Sequence, residues 1–171
     1  MATYTLISSN VLSTAAATVT FSSIPATYTD LVLRYSVRSN QANVARNYFL
    51  KINGSSSAVY SSTILQGSGS AAISIRYSDE TAGIRGTNGM PGTSATADTF
   101  SNSEIYIPNY TSTTNKPVSL FGVTENNATE SYIDPTAGLA RITSAITSIE
   151  LTSADNFVSD SSFYLYGISN A

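Results

Sequence analysis

The 171-residue sequence contains no cysteine, no histidine and no tryptophan. Without thiols or imidazoles there is no disulfide framework, no Cys/His zinc site and no histidine-activated nucleophile of the Ser-His-Asp or Cys-His kind. Charge is scarce too: 11% of residues are ionised, eight basic against eleven acidic, for a net of -3. The basic residues stand singly, so no footprint for a phosphate backbone is present and no nucleic-acid partner is expected. Long apolar runs are also missing. No stretch reaches the roughly eighteen residues of a membrane span, and Met1 to Leu12 lacks the basic-then-apolar pattern of a secretion signal.

What fills the chain instead is hydroxyl and ring: about fifty positions are Ser or Thr, with eleven Tyr and six Phe. The length fits one domain over residues 1–171, able to bury about 70% of its unfolded surface. Alternation of apolar and polar residues dominates. In Leu31-Val32-Leu33-Arg34-Tyr35-Ser36-Val37-Arg38 the odd positions are apolar and Arg34, Ser36 and Arg38 face the other way, the period of a strand with one buried face. Tyr48 to Ile52 ends at Asn53-Gly54, which tolerates the positive φ angles of a hairpin, so Val59 to Leu65 is expected to return as its partner.

Further strands read at Tyr4 to Ile7, Thr18 to Phe21, Ile73 to Tyr77, Glu104 to Ile107, Val118 to Thr124, Ile146 to Leu151 and Phe163 to Ile168. Roughly ten short strands without βαβ alternation predict an all-β, antiparallel two-sheet sandwich. Ile24-Pro25 and Ile107-Pro108 close strands at two similar corners. Leu139, Ile142, Ile146 and Ile149 have helical spacing, but Thr143, Thr147 and Thr152 are poor helix formers. A helical turn over Arg141 to Ala145, followed by a strand, is the expectation. Gly86 to Asp98, with Asn88-Gly89 and Pro91-Gly92, reads as one long irregular loop.

Only carboxylates remain as acid or base candidates. Asp79-Glu80 and Glu125 with Glu130 are the pairs that could serve glycoside hydrolysis, and they read as solvated turn residues rather than a catalytic couple. No acidic run has the spacing of a calcium loop, and the glycines at Gly67, Gly69 and Gly83 to Gly92 lack the Lys-Ser/Thr of a phosphate cradle. No catalytic residue, metal site or cofactor is therefore expected. Asn53, Asn109 and Asn127 sit in Asn-x-Ser/Thr triplets of the kind that arise by chance in such a chain. Phe21, Phe49, Phe121 and Phe163 lie in apolar runs and are expected in the core. Tyr110 and Tyr132 flank polar loops, where each reads as an edge residue with a wet hydroxyl or as a platform for a sugar ring or protein partner. Tyr164 and Tyr166 alternate with Phe163 and Leu165, so the last strand is central or makes a second contact with another subunit.

Three segments carry a likeness: Tyr4-Thr5-Leu6-Ile7-Ser8, the stretch Phe21-Ser22-Ser23-Ile24-Pro25-Ala26-Thr27-Tyr28-Thr29-Asp30-Leu31, and Ser162-Phe163-Tyr164-Leu165-Tyr166-Gly167-Ile168. Together with Glu104 to Tyr110 and Ala145 to Ile149 they resemble small virion structural proteins of tailed phages, especially cyanophages and other aquatic phages. The resemblance covers most of the chain, with Gly86 to Asp98 its least similar part. It implies a jelly-roll-like sandwich on the outside of a virion assembled in the host cytoplasm, often a homotrimer, with no catalytic residues to carry over. It implies two placements. One is a capsid decoration or cement protein bound to the major capsid protein, favoured by a one-domain chain without a fibrous stalk. The other is a tail-fibre or baseplate module binding tail proteins or host-surface glycans. Low charge predicts attachment through apolar burial and hydrogen bonds; were ion pairs to lead instead, Arg34, Arg38, Arg76 and Arg85 would be the docking residues.

Overall fold

The computed structural model describes residues 2–127 and 130–169, and among these there is no helix. Twelve strands run in chain order: β1 (Thr3–Val11), β2 (Ala16–Phe21), β3 (Asp30–Ser36), β4 (Ala45–Ile52), β5 (Tyr60–Gly67), β6 (Ala72–Glu80), β7 (Ile84–Pro91), β8 (Asn102–Ile107), β9 (Lys116–Val123), β10 (Ile133–Ala140), β11 (Ile149–Phe157) and β12 (Ser162–Ser169). All pairings are antiparallel. One sheet has eight strands in the order β1-β12-β3-β8-β9-β10-β5-β6, and the other has four in the order β2-β11-β4-β7.

Setting aside β5, β6, β9 and β10 leaves β1-β12-β3-β8 facing β2-β11-β4-β7. Counted one to eight along the chain, that order is 1-8-3-6 against 2-7-4-5, the two nested Greek keys of a jelly roll. The strands set aside are two insertions, β5–β6 between β4 and β7 and β9–β10 between β8 and β11. They pair with each other through β10 and β5 and double the width of the larger sheet.

Alternation places the core between the sheets. Leu31, Leu33 and Tyr35 of β3 and Phe163 and Leu165 of β12 are buried against Leu50 and Ile52 of β4 and Ile149, Leu151 and Phe157 of β11. Leu33 is 1% exposed whereas the Arg34 side chain is 59% exposed, as the alternation requires. β12 lies between β1 and β3, so its two apolar faces belong to a central strand. The two Ile-Pro corners meet: Tyr110 donates its hydroxyl to the Pro25 carbonyl, and Asp30 accepts from the Asn109 amide at 2.9 Å.

Several expectations are corrected. Asn53 and Gly54 do turn with φ of 50° and 63°, but they do not join a hairpin. β4 pairs with β11 and β7, while the chain crosses to the other sheet and β5 pairs with β10 and β6. The crossing is pinned by the Tyr60 hydroxyl, which accepts from Ile52 N at 3.0 Å and donates to Ile52 O at 3.1 Å. Residues 141–148 form no helical turn, and β11 starts at Ile149. Other groups satisfy that backbone: the Asn53 carboxamide accepts from the amides of Thr147 and Ser148 and donates to Ala145 O, while Lys116 donates to Ile142 O. The expected loop at Gly86 to Asp98 begins as a strand, β7, and only the residues after Pro91 are irregular. β7 and β10 raise the count from roughly ten strands to twelve.

Candidate functional site

On the eight-stranded sheet, pairing registers define which residues share the face turned away from the four-stranded sheet. One row runs from Tyr166 through Val32, Tyr106, Ser119 and Ala137 to Thr63. The next runs from Tyr164 through Arg34, Glu104 and Phe121 to Pro135. A soluble sheet face of this kind is ordinarily polar. Here it is not.

Among the described residues seven large hydrophobic side chains are exposed: Tyr4, Leu6, Val11, Leu65, Phe121, Ile133 and Ile73. All seven are on the larger sheet, and the strand registers put the first six on its outer face. Ile73 pairs with the inward-facing Gln66 and is exposed because β6 reaches past the smaller sheet.

Where the insertions widen this face it sinks into an open trough of about 780 Å³, lined by Leu65, Tyr106, Pro117, Phe121, Pro135 and Ala137 among others. Three factors make it concave. Prolines at 108, 117 and 135 and small residues at Ser119, Ala137 and Gly138 give a low floor. Phe121 and Leu65 stand as walls, 46% and 56% exposed. Tyr106 is held in place because its hydroxyl donates to Asp30 at 2.9 Å; burial, and then that carboxylate, raises the phenol above its ordinary value. A smaller hollow of about 430 Å³, sharing Phe121, continues the depression toward the Arg34–Glu104 ion pair (2.9 Å). The Arg34 guanidinium also lies 5.8 Å from the Tyr4 ring centre, which in turn meets Tyr166 edge-on. This is an apolar strip with one ion pair beside it.

Phe121 therefore does not belong to the core as expected. The inward positions of β9 are Lys116, Val118, Leu120 and Gly122, and Phe121 falls between them. Phe49 also faces outward, half-buried on the smaller sheet, where the Arg85 guanidinium covers its ring at 4.7 Å. Phe21 and Phe163 are buried. Tyr110 is neither wet nor a stacking platform: it is fully buried, with its hydroxyl on Pro25 O. Tyr132 is half-buried, and burial followed by Glu130 raises its phenol.

The carboxylates expected in turns are not brought into a couple. Asp79, at a positive φ of 56°, pairs with Arg141 at 2.7 Å, and Glu80 pairs with Arg85 at 2.6 Å. Glu125 accepts from Asn127 N and the Ser131 hydroxyl, which hold it below its ordinary value, the opposite of what a general acid needs. Glu130 takes a long contact from the Tyr132 hydroxyl at 3.4 Å. Among the described residues no three acidic side chains gather where a metal ion could sit, and no helix is long and apolar enough to cross a membrane. Of the three Asn triplets, Asn53 uses its side-chain nitrogen on Ala145 O, Asn109 sits in a turn at φ 47°, and that of Asn127 extends into residues 128–129, outside the described residues.

The arginines divide as well. Arg34 and Arg76 are exposed, and Arg85 lies between the rings of Phe49 and Tyr77. Arg38 corrects the alternation: β3 ends at Ser36, and the Arg38 guanidinium turns inward, 8% exposed, to bond the carbonyls of Ala95, Thr96 and Thr99. It holds a loop and is not free to dock. No protein-family model matches the chain, and no curated protein matches its sequence.

Proposed function

We propose that this chain is a structural protein of a tailed-phage virion, a capsid decoration or cement protein that bridges capsid subunits through the outer face of its larger sheet. The observation that carries the reading is the one-sided distribution of exposed hydrophobic side chains, six of them on that face. Exposed apolar side chains gathered on one face in this way mark a site of protein association. The jelly-roll topology and the likeness of the segments at Tyr4, Phe21 and Ser162 to small virion proteins support the setting.

Mechanistically, the face would bury Phe121, Leu65 and the proline floor against a capsid subunit, with Arg34 and Glu104 at the rim fixing orientation. Buried apolar contact is little affected by salt and suits a particle that must persist outside a cell. Assembly as a homotrimer belongs to the same proposal. Copy number on purified virions tests it: a decoration protein is present in hundreds of copies per particle by quantitative mass spectrometry. A few dozen or fewer would move the chain to the tail, where the trough would contact tail proteins or host glycans, and absence from particles would end the virion reading.

A further inference from the structure

The interior contains a carboxyl group that neither core packing nor the apolar trough needs. Asp134 lies on β10 between Ile133 and Pro135, both exposed, so its side chain points between the sheets where β10 packs on β7. It is fully buried, and neither carboxyl oxygen has a hydrogen-bond partner of ordinary geometry. The hydroxyls of Tyr35, Tyr48, Thr87, Ser103 and Thr136 are buried and unpartnered in the same way. They come from β3, β4, β7, β8 and β10, so five strands of both sheets bring a polar atom to the interior, where Tyr35 lies near enough to Tyr48 and Ser103 to interact with both.

Space has been made for this group. A Cβ on Gly122 of β9 would lie 2.5 Å from Asp134 Oδ1, so that strand has no side chain where the carboxyl sits. The titratable groups whose charges couple to those of this interior are the phenols of Tyr35 on β3 and Tyr48 on β4. β7 offers Thr87, β8 Ser103 and β9 Gly122, none of which carries charge. An ionised Asp134 would have no cation beside it, and isolated buried charge is what proteins avoid by neutralising the group. Burial indeed pushes this carboxyl up to about 8, the Thr87 backbone amide opposing in part, and burial likewise raises Tyr35 and Tyr48, which stay protonated.

We propose that Asp134 is a proton-controlled latch: as the neutral acid it lets the inserted strands β9 and β10 close on β7, and its ionisation loosens that contact. The neutral form can donate to one of the surrounding hydroxyl oxygens; the carboxylate cannot. Since the folded-state value lies above that of an unfolded aspartate, about 3.9, the closed form is favoured fully below that pH. The advantage then falls about tenfold per pH unit and levels off above about pH 8. Pro135, next in the chain, lines the trough, so the latch would make the stiffness of that face depend on mild alkalinity. The latch itself does not depend on what the trough binds.

The test is carbon-detected NMR of the Asp134 carboxyl in the intact chain, with hydrogen exchange resolved by strand from pH 5 to 9.5. The expected result is a carboxyl titrating near pH 8 and a protection loss in β7, β9 and β10 of about tenfold per pH unit between pH 6 and 8, beyond the intrinsic rise in exchange. β2 and β11 should keep their protection, and Asp134→Asn should make the profile flat. A midpoint below pH 5, an identical pH profile in Asp134→Asn, or a loss spread evenly over both sheets would each overturn the latch. Should Asp134→Asn not fold, the wild-type titration and its strand-resolved exchange decide alone.

Discussion

Replacing Gly86 by alanine should damage the fold through one ring, that of Tyr48. A Cβ at Gly86 would fall well inside van der Waals contact with Tyr48 Cζ, and one at Gly89 would do the same with Cε1, so the ring lies flat on the β7 backbone. It cannot step aside. Tyr48 is fully buried, and the Tyr35 ring meets it edge-on with 5.4 Å between centroids. Overpacking of this kind costs about 1–3 kcal/mol, and a ring fixed on two sides puts Gly86→Ala at the upper end. Lower unfolded-chain entropy returns about 0.5–1 kcal/mol, leaving a net loss near 2 kcal/mol, or roughly 4–8 °C in Tm for a chain of this size.

The double mutant is fixed by the same contact. Tyr48→Leu alone should cost about 2 kcal/mol, low for a large-to-small change because an unpartnered hydroxyl leaves with the ring. Leucine does not reach the position of Cζ, so adding Gly86→Ala to it should leave only the entropic gain of about 0.5–1 kcal/mol, a coupling of about 3 kcal/mol measurable from urea unfolding midpoints. Additive losses, within about 0.5 kcal/mol, would show that Gly86 matters for some reason other than the space taken by Tyr48.

Leu33→Asp should prevent folding, since an unpaired carboxylate in the core costs several kcal/mol, while Arg34→Ser should shift the urea midpoint little; equal effects would reverse the register assigned to β3. Lys116→Met should cost about 2–4 kcal/mol, because the buried ammonium serves the carbonyls of Ser112, Thr114 and Ile142, and a wild-type midpoint would refute that role. Phe121→Ser should leave unfolding within about 0.5 kcal/mol of wild type and reduce attachment to purified particles. Bound wild type should survive molar NaCl and come off in dilute guanidinium, whereas release by salt alone would transfer the attachment to charged residues such as Arg34 and Arg76.

Where apolar residues alternated inward, the strands were legible from sequence, as in Leu31 to Tyr35 and Phe163 to Leu165. Two strands were hidden because their chemistry runs against the rule. In β7 the glycines at 86 and 89 look like turn residues, yet they are there to let Tyr48 lie against the backbone. In β10 the pattern is inverted: Asp134 and Thr136 point inward while Ile133, Pro135 and Ala137 point out, and Pro135 within a central strand argues further against pairing. The trough was illegible for the same reason, since it needs β10 beside β9 and β5. Tyr110 and Arg38 could not be placed from local context. Their partners, Pro25 and the 95–99 loop, are distant in sequence and supply hydrogen bonds that draw polar atoms inside.

The trough is made largely by β5, β9 and β10, whereas the eight strands of the jelly roll supply most of the core. The walls and floor of the trough thus come mostly from stretches of sequence that the jelly-roll order does not use, with Tyr106 of β8 as the frame's contribution. Exposed positions on β5 and β9, Phe121 for another ring or Leu65 for a charge, should be exchangeable without altering the order in which β1, β12, β3 and β8 assemble against β2, β11, β4 and β7. If the trough is the contact surface proposed above, changes in it can be made mostly within two hairpins. For an engineer, the same two hairpins are where a different specificity can be written onto an unchanged frame.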